Sequence, residues 1–233
     1  MRLDDERIEH AVRNTEILRL PKQSIATFGT TNINYYMVTK PVYDETGEES
    51  SETVVREGRV IAERPRIVTP YYMTQLEGFS INAKRYFNTL IKNYGENAPG
   101  IFYTYRNEPG KLSIVNNEMK SVLERLNIEI EKRGDPLTTI IKGQDELWDV
   151  SLMRFIYEIT SISMQDNLSQ LFSRGLIEVD KAGVPMDARM RIEELFVKMA
   201  KGELNPNEVR KELDRWNLFE EYQDRFFRLL KRR

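Results

Sequence analysis

The sequence predicts an α+β protein: a mixed N-terminal half of β-hairpins and helices, and a mainly α-helical C-terminal half. Three observations predict it. Runs rich in β-branched and aromatic residues, INYYMVTKPVY (33–43) and TVVREGRVIAERPRIVTP (53–70), fall in the first half, as strands require. Beyond residue 116 apolar residues recur three and four apart, the period of a helix face. Glycines stand where periodic runs stop, Gly95 after the run at 73–94 and Gly134 and Gly175 in the second half.

Each element has its own warrant. Residues 4–20 read as a helix with a narrow stripe of Ile8, Val12, Thr15 and Leu18, stopped by Pro21. The strand at 33–43 leads into DETGEESSE (44–52). Its carboxylates Asp44, Glu45, Glu48, Glu49 and Glu52, without apolar anchors, predict a solvated, mobile loop. In 53–70, Glu57-Gly58 reads as a tight turn or a bulge, and Pro65 and Pro70 confine the later part to an edge. Residues 73–94 predict a helix with Phe79, Ala83, Tyr86, Phe87, Leu90 and Ile91 on one side. In GIFYTYRNEPGKLSIV (100–115), Pro109-Gly110 suits the centre of a type II turn and predicts a hairpin.

The second half follows the helical period. Met119, Val122, Leu126 and Ile130 share one face of a helix over 117–133, with Gly134 as its cap. LTTIIK (137–142) reads as a short strand or extended linker. A helix over 145–161 carries Trp148, Leu152, Phe155, Ile156 and Ile159. A further helix over 163–174 carries Met164, Leu168, Leu171 and Phe172. Gly175 and Leu176 after it predict a left-handed cap with Leu176 against Leu171. Ile177 and Val179 alternate with Glu178 and Asp180 as a short strand, and AGVP (182–185) makes a turn. Ile192, Leu195, Phe196 and Met199 mark a helix over 186–200. NPNE (205–208) restarts a helix, with a break expected near Asn217.

Composition bounds the class. The 233 residues are 40% hydrophobic, enough for one large core or two modest ones. A boundary near residue 115 would separate a mixed region (1–115) from a helical one (116–233); one merged body is the alternative. The 35 basic and 37 acidic residues give a net charge of −2, which argues against a uniformly cationic nucleic-acid binder. Without cysteine there is no disulfide, thiolate nucleophile or thiolate metal site, as suits a reducing compartment, and a cytoplasmic location is expected. The charged opening MRLDDER predicts no secretory signal, and no apolar run approaches a membrane span.

Catalytic constellations are scarce. His10 is the lone histidine, so histidine-rich metal sites are impossible and any serine–histidine pair would need it. There is no phosphate-loop or dinucleotide signature. ATFGTTN (26–32) is either a small polar phosphate loop or the entry to a strand. Asp145 and Asp149, four apart with Glu146 beside them, could hold magnesium or divide acid and base roles. Alternatively they open a helix whose dipole favours them, with Asp145 as N-cap.

Two binding candidates remain. Arg56, Arg59, Arg64 and Arg66 near Tyr35, Tyr36, Tyr71 and Tyr72 form a cation–aromatic set that could stack bases and grip phosphates. The alternative is a half-exposed sheet with internal ion pairs. In the C-terminal WNLFEEYQDRFFRLLKRR (216–233), Phe219, Tyr222, Phe226 and Leu230 share a stripe that Phe227 widens. That helix packs on its own domain, docks in a partner's groove, or lies on anionic lipid. Separately, the order helix, strand, helix, helix, strand over 117–180 resembles a winged helix, with 163–174 as reading helix and 176–180 in the wing. That surface is poor in cations: Arg174 stands among Gln165, Asp166, Asn167, Ser169, Gln170 and Ser173.

The expected function is therefore binding of a macromolecular partner, by a non-enzymatic protein in a regulatory or assembly role, with no cofactor or metal. The alternatives are nucleic-acid or nucleoprotein binding, and a carboxylate- and metal-dependent enzyme near Asp145.

Overall fold

In the computed structural model, residues 2–41, 52–76 and 91–231 are described. The architecture is α+β. Its helices are α1 (Arg2–Arg13), α2 (Pro70–Thr74), α3 (Met119–Arg133), α4 (Trp148–Ser173), α5 (Met186–Ala200), α6 (Pro206–Arg215) and α7 (Phe219–Leu230). Its strands are β1 (Glu16–Arg19), β2 (Thr31–Thr39), β3 (Glu52–Ala62), β4 (Arg66–Val68), β5 (Gly100–Phe102), β6 (Tyr105–Asn116) and β7 (Thr138–Gly143). The loop expected at 44–52 lies outside the described residues except for Glu52, which opens β3, and so does most of the helix expected at 73–94; Ile91–Tyr94 are helical and end at Gly95, whose φ is +93°.

The chain divides into two compact units, each made of two separate stretches, rather than at one boundary near residue 115. The first is Met1–Arg64 with Tyr103–Asn167; the second is Pro65–Phe102 with Leu168–Arg233.

The first unit is built on a five-stranded sheet in the order β1-β7-β2-β3-β6. β2 and β7 run parallel, and every other pairing is antiparallel. From Tyr35 to Val38 β2 reads as an apolar run because both its faces are covered there, and its period of two sends alternate side chains to opposite cores. Ile33, Tyr35 and Met37 join Leu152, Phe155, Ile156 and Ile159 of α4. Tyr36 and Val38 join Val122, Leu126 and Ile130 of α3. Each such fully buried side chain stabilises the fold by roughly 1.5–3 kcal/mol, so Phe155→Ala, which also leaves a cavity, is the kind of single change that would break this unit.

Three expectations are corrected here. First, helix α1 stops at Arg13, and residues 16–19 form β1 instead of continuing it. Thr15 turns its hydroxyl back to the Ala11 carbonyl (2.8 Å) and to Ser151 Oγ (2.7 Å), closing the helix. The next four residues then pair with β7, and Ile17 packs against the α4-side core. Tertiary pairing outweighs the weak stripe, and Ile8, Val12 and Leu18 are exposed while Ala11 is buried.

Second, Pro109-Gly110 is not a turn. It lies inside β6, the edge strand, where a missing N–H costs no ladder bond. The register against β3 slips between Arg56 and Gly58, so a bulge lies here, but its extra residue is on β6 at Gly110-Lys111 rather than at Glu57-Gly58. Gly58 is needed for another reason: it faces Tyr35 across the ladder, and a Cβ there would collide with the tyrosine ring. The intended partners separate at Tyr103–Thr104: β5 pairs with β4, and β6 with β3.

Third, 145–161 and 163–174 are not two helices. α4 is one helix of 26 residues. Neither glycine nor proline interrupts it, and Ser161 and Ser163 return their hydroxyls to the Tyr157 and Ile159 carbonyls. The turn that a winged helix places before its reading helix is therefore missing. The strand expected at 176–180 shrinks to one bridge, Val179 with Pro185.

In the second unit β4 and β5 pair antiparallel, and Tyr72, Ile192, Phe196, Val209, Leu213, Trp216 and Phe226 lead a core gathered from α2, α5, α6 and α7. The helix ends follow the sequence. Gly175 has φ +68°; its N–H reaches the Phe172 carbonyl and that of Leu176 the Leu171 carbonyl, the Schellman pair of bonds. Asn217 (φ +54°) closes α6 in the same way, with Leu218 N–H on the Leu213 carbonyl, and this is the break expected near Asn217.

Candidate functional site

The arginine–tyrosine set is dispersed. Arg56, Arg59, Arg64, Tyr35 and Tyr36 belong to the first unit; Arg66, Tyr71 and Tyr72 belong to the second. Tyr35 and Tyr36 are buried on opposite faces of the sheet, as adjacent strand residues must be. Arg56 pairs with Asp145 at 2.5 Å, both largely buried, and stacks on Trp148. Arg59 pairs with Glu108. Arg64 lies over Phe28 and Arg66 over Phe102. Tyr72 is buried and donates to Glu212 (3.1 Å), and burial raises its pKa. Tyr35, Tyr36 and Tyr72 are core members, Tyr71 is half-buried, and Arg56 and Arg59 pair with carboxylates of the same unit.

The carboxylates near 145 also have structural partners. α4 begins at Trp148, so Asp145 is not its N-cap; it accepts from Arg56 and from Thr39 Oγ1. Glu146 pairs with Arg7, and Asp149 accepts from the Val150 N–H. His10 bonds to the amides of Asn14 and Gln144. Among the described residues no group of three or more acidic, histidine or cysteine side chains could hold a metal ion. ATFGTTN enters β2: Thr31 Oγ1 accepts from the Ala26 N–H, and Thr27 from buried Asn167.

A groove of about 470 Å³ opens on the α3 side of the sheet. Its charged groups have partners within the unit: Arg59 pairs with Glu108, Arg133 donates to the Tyr36 hydroxyl, and Asp135 accepts from Asn34. The Arg59 hydrogen bond holds the Glu108 carboxyl below the usual range. For Asp135 the Thr138 hydroxyl does the same first, helped by the Leu137 N–H.

The C-terminal stripe is mostly inward. Phe226 is 6% exposed, while Phe219, Tyr222 and Leu230 pack against the second unit's core. Phe227 is 48% exposed, edge-on to both Phe219 and Phe226. The two adjacent phenylalanines diverge as the 100° step of a helix requires.

The surface that sequence reasoning missed is on α4. Its inner face carries Leu152, Phe155 and Ile159; its outer face carries Met153 (63% exposed), Tyr157 (76% exposed) and Met164, also exposed. Those three lie four and seven residues apart, one helical stripe. Thr160 and Asn167 extend the Met153 row by sevens, and their side chains bond to Tyr105 and Tyr103. That end of the row thus lies by Tyr103 and Tyr105, where β6 begins. Leu112 and Ile114 of β6 are exposed too, and they pair with Arg56 and Val54 on the α4 side of the sheet. The available signal was that Arg154 and Glu158 are the only charges from Val150 to Gln165, so α4 is apolar on two sides.

Comparison with family models, with curated proteins and with solved structures finds no match to this chain. Among the described residues no helix is long and apolar enough to cross a membrane.

Proposed function

We propose that this protein acts by binding another protein, in an assembly or regulatory role, in a reducing cytoplasmic compartment. The observation that carries the reading is the exposed stripe Met153–Tyr157–Met164 of α4, with Leu112 and Ile114 of β6 exposed on the same side of the sheet. Scattered apolar residues are ordinary on a surface; a contiguous set with an aromatic at its centre is what interaction sites present. The absence of cysteine supports the compartment. The internal pairing of Arg56 and Arg59 supports a protein rather than a nucleic-acid partner, since phosphate contacts need available cations.

The test is capture from an extract of the protein's own cells by immobilised wild-type protein and by Tyr157→Ala, each with and without nuclease. The expected result is a protein partner that survives nuclease and is lost with Tyr157→Ala. Capture that disappears with nuclease, or that ignores the substitution, overturns the reading.

A further inference from the structure

We infer that the partner at this surface is a second copy of the chain, joined through the open edge of β6; the inference rests on the protein-binding reading above. β6 ends the sheet, pairing with β3 alone, so its other edge has no strand partner among the described residues. Unpaired edges recruit strands unless something blunts them. Here the blunting is confined to one half. Pro109 removes a donor, and the bulge at Gly110-Lys111 distorts the ladder. From Leu112 to Asn116 the pairing with β3 is regular, and the strand shows Leu112 and Ile114 to solvent.

That half is self-complementary. Antiparallel pairing of two copies about Ser113 sets Leu112 of each opposite Ile114 of the other. Directly opposed residues share a face, so the four apolar side chains meet on the α4 side of both sheets, the side that also carries exposed Met153 and Tyr157. Shifting the register by two residues in either direction gives up those crossed pairs: Leu112 then faces itself or Asn116.

The area is adequate. Tyr157 alone, mostly exposed, offers on the order of 150 Å², and with Met153, Leu112 and Ile114 the apolar part reaches roughly 300–400 Å². The paired strands bring this toward the ~800 Å² per partner of a stable interface. Such a dimer continues one sheet across the two-fold axis and removes the exposed edge from both copies.

The experiment uses the full chain and its lack of cysteine. Sedimentation of the purified wild-type protein at micromolar concentration should show a dimer, and Ile114→Lys should sediment as a monomer with its tryptophan emission unchanged. Ser113→Cys places one thiol per chain at the symmetry axis, with Cβ atoms close enough to bridge. Mild oxidation should cross-link it rapidly, whereas Lys181→Cys on the second unit should not respond. A wild-type monomer overturns the inference. So does a dimer that tolerates Ile114→Lys and cross-links no faster through Ser113→Cys than through Lys181→Cys. A monomeric protein that still captures a different partner in a Tyr157-dependent way overturns self-association alone and leaves the protein-binding reading standing; capture indifferent to Tyr157→Ala overturns that reading itself.

Discussion

Phe226 and Phe227 are chemically identical neighbours with opposite environments, so truncating each should separate packing from exposure. Phe226 is 6% exposed and enclosed by the rings of Phe219 and Phe227. Phe226→Ala removes almost the whole transfer contribution of the ring and leaves a hole that solvent cannot fill, a cost of about 3–5 kcal/mol. Phe227 is 48% exposed, so only about half of a transfer contribution of roughly 1.5–3 kcal/mol is lost, and water occupies the vacated space. Its edge contacts to Phe219 and Phe226 add on the order of 1 kcal/mol. Phe227→Ala should therefore cost about 2 kcal/mol, no more than two-thirds of its neighbour's effect. Urea titration followed by tryptophan emission measures this. The chain has two tryptophans, Trp148 in the first unit and Trp216 in the second, so a Trp148→Phe background isolates the transition of interest. Trp216 packs on Tyr72 within the same core as Phe226 and reports its loss directly. Equal losses for the two variants, or a larger loss for Phe227→Ala, would refute the placement of this helix.

Three further outcomes are expected. Gly175→Ala should lower stability by about 1 kcal/mol, because φ is +68° while the added Cβ meets nothing closer than Glu178 at 3.7 Å; an unchanged melting temperature would contradict the cap. At Gly143 an added Cβ would collide with Ser151, so Gly143→Ala should cost about 1–3 kcal/mol, and Ser151→Gly should recover part of it in a double-mutant cycle; strictly additive losses would argue against that approach. Burial raises the Tyr103 hydroxyl to about 12, with the neighbouring Tyr105 adding to it. Its folded pKa lies above the unfolded value, so the stability it lends is complete below pH ~10 and is lost as the pH climbs toward the folded value. Tyr103→Phe should flatten the alkaline loss of stability measured by denaturant titration, although Tyr35 and Tyr105, also raised, keep part of the slope.

What the sequence revealed was whatever depends on neighbours along the chain. Gly134, Gly175 and Asn217 terminate helices through local dihedral preference, and α3 and α5 follow from the spacing of Val122–Leu126–Ile130 and Ile192–Phe196–Met199. What it concealed depends on neighbours in space. EILR becomes a strand because β7 offers it an edge, and Pro109 sits in a strand because nothing needs its N–H. The arginine–tyrosine set illustrates the same limit for sites. Tyr35 and Tyr36 are adjacent in sequence yet project into different cores, and the carboxylate that holds Arg56 comes from Asp145, far along the chain. The exposed side of α4 was readable in principle, because its scarcity of charge implies two apolar faces. Which of them met the sheet was not.

The interleaved path of the chain has a consequence for synthesis. β7 lies between β1 and β2, yet it is translated about a hundred residues after β2, with the whole 65–102 stretch of the other unit in between. At the ~5–20 residues per second of a ribosome, β2 waits several seconds or more with the edge that β7 will occupy bare. During that interval the nascent chain holds β2 and β3 as a hairpin of which neither edge is final, the kind of intermediate that chaperones shield and that crowded polysomes aggregate. Neither unit can be released by a single cut, since each needs chain from both sides of the other's insertion. Fragments ending near residue 115 would keep the hairpin but never receive the strand that seals it, and should emerge as inclusion bodies rather than as a small folded domain.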